Sequence, residues 1–365
     1  MATSSIIIDQ GSGFLKVGLS GWNQPHVLCP SIVNYIPCQE NPGPSSARRQ
    51  VSMGIDPYNP DTFSRPIQRG RVINWEGVEH MWSFALQRFK EHRGNCPVIL
   101  NDSLLKEPED RRKTLEIMFE LQQVPALLLA DELEMSLYST GLLTGVVVDS
   151  GYGLTRIQPF FLGQSLSNSR RTMELAGQDL STYLFKNLFK EKCDEHNLYQ
   201  METVARTQTT KCYVPKNLQE ALNFHQSLPN SPDKGNNFQL PDGTPVELPP
   251  LARLAPEMFF NPQVFGQQGP GLPQVLVESI KSCEVPRQLV LLSHVVPCGG
   301  NSLYPGLTRR LSEELNSGHF PYKATVWVGE HRRFSVWLGA SVVAHFSSYK
   351  SQWLRRQEYL ESMRL

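Results

Sequence analysis

The chain has 365 residues, which is enough for two domains of ordinary size, each with its own hydrophobic core. It carries 35 Lys and Arg against 35 Asp and Glu, so its formal net charge is zero. This balance argues against a protein that binds nucleic acid or an anionic membrane through bulk charge. Hydrophobic residues make up 40% of the chain, a composition typical of a folded protein rather than a disordered one.

The N-terminus and the cysteines indicate a reducing compartment. The opening MATSSIIIDQG has a short apolar run without a basic segment before it, too little for a signal peptide. No apolar run approaches the roughly 18 to 20 residues that span a bilayer. The seven cysteines are scattered, odd in number and never spaced as C-x-x-C, and the histidines lack metal-ligand spacing. We therefore expect free thiols and no zinc site.

An internal repeat is the most informative feature of the sequence. SIIIDQGSGFLKVGLS at 5–20 and GVVVDSGYGLTRIQPF at 145–160 share an apolar β-branched run, Asp-x-Gly-x-Gly, a basic residue and a second strand. We predict a β-hairpin in each segment, with turns formed by the glycines Gly11, Gly13, Gly151 and Gly153.

These hairpins carry residue types suited to phosphate chemistry. Successive N–H groups in a glycine turn can form a nest for anionic oxygens. Asp9 and Asp149, each at the exit of a strand, are suited to hold a hydrated Mg²⁺ against those oxygens, and Lys16 to neutralise a phosphate. Either copy alone is also compatible with a glycine-rich hairpin that binds nothing. The duplication favours two related lobes with a nucleotide between their loops.

Three amphipathic helices are predicted over 74–91, with Asn74 as N-cap, over 110–122 and over 174–190. Residues 228–250 are rich in Pro, Asn and Gly and predict an exposed tip with a hairpin at Asp242-Gly243.

Residues 290–315 predict a strand, a break at Gly299-Gly300 and a helix that carries Leu307, Leu311 and Leu315. Paired glycines let the backbone approach a flat group, and the positive end of a helix favours an anion. A strand, two glycines and a helix are also common as plain architecture.

The three loops, in this order, resemble the phosphate-binding and adenosine-binding segments of the actin family. Further similar stretches run along the chain: CPSIVNY at 29–35, RVINWEGVEHMW at 71–82, MSLYSTGLLTGVVVDSGYG at 135–153, LAGQDLSTYL at 175–184, QLPDGTPVEL at 239–248, PGLTRRL at 305–311 and FSVWLGASVVAHFSSYKSQWLRRQEY at 334–359. The chain is identified as a divergent member, similar to the germ-cell actin-like proteins.

The resemblance implies an α/β, actin-like ATPase-domain fold with two duplicated lobes, or four subdomains, around a nucleotide cleft. The first lobe would comprise 1–135 and 335–365, with subdomain 2 near 34–69. The second would comprise 136–334, with subdomain 4 near 178–262.

The implied ligands are ATP and Mg²⁺, with Mg²⁺ held through water by Asp9 and Asp149. The implied nucleotide-binding residues are Asp9, Gly11, Ser12, Gly13, Lys16, Asp149, Gly151, Gly153, Gly299, Gly300, Tyr304 and Arg333.

Three positions depart from the family pattern that orients the attacking water. Glu132 stands where actin-like ATPases have Gln, Arg156 stands where they have His, and Tyr152 replaces an Asp. Such groups are typically worth about 10² to 10⁴ in rate, so we expect very slow hydrolysis. A carboxylate such as Glu132 can act as a base, whereas a guanidinium cannot accept a proton. The opposite charges of Glu132 and Arg156 suggest that they pair with each other; the alternative is that each has other partners.

The nucleoside clamp and the polymer contacts are also altered. Ala205, Gln208 and Thr209 stand where the family presents charged groups to the nucleoside. Prolines occur in the loops at 53–66 and 265–274, which correspond to filament contacts. Both changes argue against a polymerising ATPase.

We therefore expect a structural or interaction subunit of the cytoplasm and cytoskeleton, with impaired ATP hydrolysis. Its partners would be proteins, such as actin-binding proteins or other actin-like proteins, and neither nucleic acid nor a membrane span is expected. A slow, polymerising ATPase is one alternative, and an actin-related subunit of a nuclear assembly is another.

Overall fold

Two compact units make up the chain in a computed structural model. Unit 1 consists of Met1–Leu142 and Phe334–Leu365, and unit 2 consists of Leu143–Arg333. The structure describes residues 4–36, 50–54, 62–91, 96–102, 107–189, 198–220, 223, 237–239 and 245–363.

A six-stranded sheet forms the centre of unit 1. Its strands, in chain order, are β1 (Ile6–Gln10), β2 (Phe14–Leu19), β3 (Val27–Pro30), β9 (Val98–Asn101), β10 (Ala126–Ala130) and β18 (Leu354–Arg355), and their spatial order is β18-β10-β9-β1-β2-β3. The strand β1 is parallel to β9 and antiparallel to β2. The carboxyl ends of β1 and β9 therefore lie at the same edge of the sheet.

The central strand of this sheet is buried on both faces. Ile6 and Ile8 belong to one hydrophobic cluster, which includes Trp82, whereas Ile7 belongs to another, which includes Trp337. Successive side chains of a strand point to opposite faces, so an uninterrupted apolar run is the pattern expected of a strand covered on both sides.

Unit 1 also contains five α-helices and several short strands in the part of the chain that the structure describes. The helices are α1 (Trp75–Gln87), α2 (Pro108–Glu116), α3 (Glu132–Tyr138), α9 (Ser335–Val343) and α10 (Arg356–Ser362). The short strands are β4 (Val33–Ile36), β5 (Gln50–Met53), β6 (Phe63–Ser64), β7 (Ile67–Gln68) and β8 (Arg71–Val72).

Unit 2 is built on a five-stranded sheet. Its strands are β11 (Gly145–Ser150), β12 (Thr155–Phe161), β13 (Gln164–Ser165), β14 (Arg171–Met173) and β17 (Val295–Cys298). The strand β11 is antiparallel to β12 and parallel to β17. Residues that follow β11 and β17 therefore lie at one edge of the sheet.

The described helices of unit 2 enclose a large hydrophobic core that includes Phe185, Phe259 and Leu276. They are α4 (Gly177–Phe189), α5 (Leu198–Lys211), α6 (Leu272–Lys281), α7 (Val285–Leu292) and α8 (Leu307–Leu315). Short 3₁₀ segments occur at Pro250–Phe259, Pro262–Phe265 and Gly300–Leu303.

The two predicted hairpins are confirmed, and they share one register. In the first, Asp9 lies opposite Lys16; in the second, Asp149 lies opposite Arg156. The predicted tip hairpin is confirmed in its strands, since β15 (Asn237–Gln239) pairs with β16 (Pro245–Glu247), while Asp242-Gly243 lies outside the described residues.

The helix predictions are confirmed in place and corrected at their ends. The helix α1 starts after Asn74, whose Oδ1 accepts a hydrogen bond from the Gly77 amide at 3.1 Å. The helix predicted over 110–122 is confirmed as Pro108–Glu116, which Ile117–Leu121 continues with π-helical winding. Its wider winding is closed by a 2.9 Å bond from the Gln122 amide to the Ile117 carbonyl.

The third predicted junction is confirmed in its helix, α8, which carries Leu307, Leu311 and Leu315, and is corrected at two points. Its strand, β17, begins only at Val295, because the residues up to Leu292 belong to α7. Gly299-Gly300 leads into the 3₁₀ turn Gly300–Leu303, and α8 begins only at Leu307. Gly306, with φ of 87°, turns the backbone into α8. The amino end of this helix therefore does not directly follow the glycine pair.

The predicted lobes divide at residues 135 and 334, whereas the compact units divide after Leu142 and before Phe334. The whole of α3 belongs to unit 1, where it packs against α9 so closely that a Cβ at Gly339 would lie 1.7 Å from the Met135 carbonyl oxygen. The proposed subdomains near 34–69 and 178–262 stay predictions, and part of each lies outside the described residues.

Candidate functional site

The first glycine turn is held by hydrogen bonds to its carbonyl groups. The Gly11 amide donates to the Phe14 carbonyl at 3.0 Å and closes the turn. Ser31 binds twice, its Oγ to the Gly11 carbonyl at 2.6 Å and its amide to the Gly13 carbonyl at 2.9 Å. With its carbonyl groups satisfied in this way, the loop is fixed in one conformation.

Ser12, in the middle of this turn, has two further partners. The buried Arg65 donates from Nη1 to the Ser12 carbonyl at 3.2 Å, and the Gly70 amide donates to Ser12 Oγ at 3.2 Å. Within the described residues, the amides of Ser12 and Gly13 donate no hydrogen bond. Two adjacent amides of this kind are suited to an anionic oxygen.

A salt bridge lies across the first hairpin. Lys16 Nζ is 2.6 Å from Asp9 Oδ2, and both side chains are largely buried. The pair follows from the antiparallel register, which places the two residues opposite each other on neighbouring strands. Opposite charges at this separation attract each other, and burial limits the screening of that attraction by water.

Glu132 lies next to the first hairpin through Asn101. The side chain of Asn101 bonds both backbone groups of Gln10 at 2.9 Å, and its Nδ2 lies 3.4 Å from Glu132 Oε2. Glu132 is 6% exposed at the start of α3, where Asp131 caps the helix by accepting from the Glu134 amide at 2.8 Å. Unit 1 thus brings Asp9, the first glycine turn, Lys16 and Glu132 to one edge of its sheet.

The second glycine turn is closed like the first. The Gly151 amide donates to the Leu154 carbonyl at 3.0 Å. The Gly151 carbonyl accepts from Asn301 Nδ2 at 2.6 Å and from the Gly177 amide at 3.0 Å. The Tyr152 carbonyl accepts from the Gln178 amide at 2.7 Å. The start of α4 therefore secures this turn, with Tyr152 and Gly153 in it.

A second salt bridge lies across the second hairpin. Arg156 Nη2 is 3.4 Å from Asp149 Oδ2, and about a tenth of each side chain is exposed (12% and 10%). The other carboxylate oxygen, Oδ1, accepts from the Cys298 thiol at 3.7 Å. Both oxygens of Asp149 thus have partners inside unit 2.

The predicted glycine pair separates into two different roles. A Cβ at Gly299 would lie 2.4 Å from the Ser150 carbonyl oxygen and 2.7 Å from Asp149 Oδ1, and its φ is 81°. A Cβ at Gly300 would meet nothing within 4 Å. Gly299 is therefore required by packing, while Gly300 faces open space.

Tyr304 is placed in the core of unit 2, where it is 2% exposed. Burial raises the pKa of its phenol well above the ordinary value of 10. Arg333 lies in the turn after Arg332, whose carbonyl accepts from the Gly299 amide at 3.1 Å, and partial burial lowers the pKa of Arg333. The residues Asp149, Gly151, Gly153, Arg156, Gly299 and Gly300 are brought together; Tyr304 is not presented at the surface.

The altered clamp positions lie on α5. Gln208 is buried and its Oε1 accepts from Ser181 Oγ of α4 at 3.3 Å, whereas Thr209 is exposed. Glu132 belongs to unit 1 and Arg156 to unit 2, so the hypothesis that they pair with each other stays a prediction.

Sequence reasoning missed the polar residues that hold the two turns: Ser31, Arg65, Asn101 and Asn301. The position of Asn101 could have been predicted, because it directly follows the apolar run PVIL. The last residue of a parallel strand lies at the edge of the sheet, as Asn101 does at the end of β9. Asn301 directly follows the glycine pair. Arg65 carries no local signal, since its partner Ser12 is far away in the sequence.

The described residues offer neither a metal-binding cluster of acidic, His or Cys side chains nor a helix that could span a membrane. Among the described residues, no group of three or more His, Cys, Asp or Glu side chains is arranged to hold a metal ion. Within the same part of the chain, no helix is both long enough and apolar enough to cross a membrane.

Comparison with known proteins identifies the family. The family model described as Actin matches residues 1–364. The human protein named Actin-like protein 8 is 60% identical over 366 residues, which cover 100% of this chain and 100% of the human protein. The α/β architecture, with its two matching glycine hairpins, agrees with that match. The chain therefore belongs to the actin family.

Proposed function

We propose that this protein is a structural or interaction subunit of the actin family whose ATP hydrolysis is impaired. The observation that carries this proposal is the position of Arg156, which stands where actin-like ATPases have His and lies 3.4 Å from Asp149. A guanidinium donates hydrogen bonds and accepts no proton. The second hairpin therefore offers no proton acceptor at this position for an attacking water.

Glu132 adds to this argument. It stands where the family has a neutral Gln, and it is 6% exposed with Asn101 beside one of its oxygens. A carboxylate accepts hydrogen bonds but cannot donate one when ionised, whereas an amide does both. The replacement removes a donor that could orient water, which supports slow hydrolysis.

The phosphates of ATP fit the first hairpin. The amides of Ser12 and Gly13 donate to no described group, and Lys16 supplies a positive charge on the same hairpin. Open space beside Gly300 in unit 2 suits the close approach of a ligand to the backbone. Taken unit by unit, the candidate nucleotide-binding residues are Gly11, Ser12, Gly13 and Lys16 in unit 1. In unit 2 they are Gly151, Gly153, Gly299, Gly300 and Arg333.

Mg²⁺ fits less well than ATP. Actin-fold proteins generally bind both. Each candidate carboxylate here, however, already forms a salt bridge with a basic side chain, Asp9 with Lys16 and Asp149 with Arg156. Divalent cations are held by oxygen ligands whose negative charge is available to them. The donor set of unit 2 does not meet that condition, and no step of the proposed function depends on the metal.

Turnover of the purified full-length protein tests the proposal. Nucleotide content is measured first, and ATP hydrolysis is then followed in a single-turnover experiment with conventional actin as the reference. We expect a rate at least 10²-fold below that of actin, the lower range for loss of a positioned proton-transfer group. Consumption of stoichiometric ATP at an actin-like rate would overturn the proposal.

The proposed location and partners follow from the proposed loss of ATP hydrolysis. A family member with impaired turnover would act through protein contacts, and we place it in the cytoplasm with the cytoskeleton. Cosedimentation with actin filaments, and pull-down of actin-binding proteins, test this assignment. Recovery only with a chromatin complex would favour the alternative of a nuclear assembly subunit.

A further inference from the structure

The pairing of Arg156 with Asp149 is imposed by the backbone. The two residues lie directly opposite each other on β11 and β12, between the pairs Val148 with Ile157 and Ser150 with Thr155. Side chains at opposed positions of an antiparallel pair are held close together. The hairpin therefore keeps the guanidinium within reach of the carboxylate, and the two lie 3.4 Å apart in the structure.

The other side of the carboxylate is closed as well. Asp149 Oδ1 accepts from the Cys298 thiol at 3.7 Å, and a Cβ at Gly299 would lie 2.7 Å from the same oxygen. Cys298 is 1% exposed and belongs to β17, the parallel neighbour of β11. The backbone that follows β17 thus covers the face of Asp149 that Arg156 leaves open.

Charge and chemistry at this position disfavour a divalent cation. Arginine is charged at all ordinary pH values and has no lone pair to coordinate a metal. Its positive charge, within ion-pair distance, offsets the negative charge that would attract Mg²⁺ and repels the ion directly. The same guanidinium is well suited to bind phosphate oxygens, because its donors match them in pairs.

We infer that Arg156 is a built-in cation that takes the place of Mg²⁺ at Asp149, so that this protein binds ATP without a divalent metal. The inference rests on the proposed function and deepens it, since it concerns the cation at the nucleotide site rather than turnover. Arg156 is thus a specificity-determining residue: it makes the binding of ATP independent of Mg²⁺.

Titration calorimetry of the full-length protein with ATP tests this inference. The titration is run once with Mg²⁺ in excess over ATP and once with EDTA. We expect the two dissociation constants to agree within threefold. Binding at least tenfold tighter with Mg²⁺ would overturn the inference, and so would the absence of binding in both titrations.

Two substitutions locate the effect at Arg156. Arg156→His, which restores the family residue, is expected to make binding at least tenfold tighter with Mg²⁺ than with EDTA, whereas Arg156→Lys is expected to keep the two equal. Arg112→His is the control, since Arg112 forms an exposed salt bridge with Glu109 on α2. If Arg156→His remained insensitive to Mg²⁺, Arg156 would not be the determinant.

Asp149→Asn keeps the test decisive if Arg156→His does not fold. Removal of the carboxylate leaves Arg156 to the phosphate oxygens, so affinity in EDTA is expected to stay equal or to rise. A metal-binding Asp149 would instead give a variant that loses affinity only in the titration with Mg²⁺.

Slow hydrolysis with Mg²⁺-dependent binding would refute this inference alone, and rapid hydrolysis with Mg²⁺-independent binding would refute only the proposed function.

Discussion

Gly299 lies against the carbonyl group of Ser150, so closely that a Cβ on Gly299 would be 2.4 Å from that oxygen. Contacts under about 3 Å between a Cβ and a backbone atom do not occur without displacement of one of them. The loop after β17 and the second glycine hairpin are thus packed backbone to backbone. The two adjacent glycines therefore differ. The fold requires Gly299, whereas Gly300 borders open space that a ligand could occupy.

Alanine substitutions at these glycines should therefore differ sharply. Gly299→Ala is expected to lower the free energy of unfolding by about 2 kcal/mol or more, because it combines a left-handed φ of 81° with a backbone clash. Gly300→Ala is expected to change it by less than about 0.5 kcal/mol, since its new methyl meets open space. Chemical denaturation monitored by circular dichroism measures both.

Gly300→Ala also tests whether ATP contacts the backbone at Gly300. If ATP approaches the backbone beside Gly300, then Gly300→Ala should weaken ATP binding while the fold stays intact. Equal ATP affinity of this variant and the parent would count against a nucleotide contact at Gly300.

Tyr304→Phe is expected to stabilise the protein. The Tyr304 hydroxyl is buried and has no hydrogen-bond partner among the described residues. An unsatisfied buried polar group costs about 1 to 3 kcal/mol, so its removal should raise the free energy of unfolding by about 1 kcal/mol. A lower midpoint of denaturation for Tyr304→Phe would show that the hydroxyl does have a favourable partner.

Alkaline pH gives a second readout for Tyr304. Its pKa in the folded protein is raised above the unfolded value of about 10, so the native state retains the proton longer. Its contribution to stability is complete below pH 10 and is lost as pH rises from 10 towards the raised pKa. Tyr304→Phe should therefore lose less stability above pH 10 than the parent, as followed by thermal unfolding across pH 8 to 11.

Asn301→Ala should destabilise unit 2 through the second turn. Asn301 Nδ2 donates to the Gly151 carbonyl at 2.6 Å and to Ser150 Oγ at 3.1 Å, and Asn301 is 5% exposed. Loss of these bonds is expected to cost about 1 to 3 kcal/mol. Asn187→Ala, which removes an exposed bond to the Tyr183 carbonyl, serves as control and should cost less than about 0.5 kcal/mol. Equal effects of the two substitutions would contradict the role given to Asn301.

Gly339→Ala probes the contact of α9 with α3 in unit 1. The added methyl would overlap the Met135 carbonyl oxygen, so the two helices would have to separate. Overpacking of this kind typically costs about 1 to 3 kcal/mol, and the overlap with backbone places Gly339→Ala at the upper end. Reduced protection of α3 amides in hydrogen exchange should accompany the lower stability. Unchanged protection would mean that α9 and α3 are not held together by this contact.

Restoring the family residues should restore turnover. The double variant Glu132→Gln, Arg156→His is expected to hydrolyse ATP about 10² to 10⁴ times faster than the parent in single-turnover experiments with Mg²⁺, because it regains the water-orienting groups. Glu132→Gln alone should recover less, since Arg156 still provides no proton acceptor. A double variant as slow as the parent would place the cause of slow hydrolysis elsewhere in the chain.

Short-range patterns in the sequence were sufficient to predict both glycine hairpins, with their strands β1, β2, β11 and β12, and the N-cap of α1 at Asn74. These features depend on residues a few positions apart, such as Asp-x-Gly-x-Gly or a run of β-branched residues, whose conformational preferences act locally. The resemblance of several such segments to one family then indicated the fold. Local patterns were less reliable at element ends, as the π turn after Glu116 shows, because hydrogen-bond spacing there is set by packing.

Only the tertiary structure decided which polar groups hold the site and which are buried in the core. Tyr304 follows the glycine pair in sequence as a nucleotide contact would, yet its ring lies in the core of unit 2. Arg65 supports Ser12, and Asn301 supports Gly151, across long stretches of chain. Burial and long-range hydrogen bonds are determined by segments that meet only after folding, so no local pattern encodes them. The salt bridge between Asp149 and Arg156 depends on both sequence and tertiary structure. The two charged residues can be read from the sequence, and the antiparallel pairing of β11 with β12 brings their side chains together.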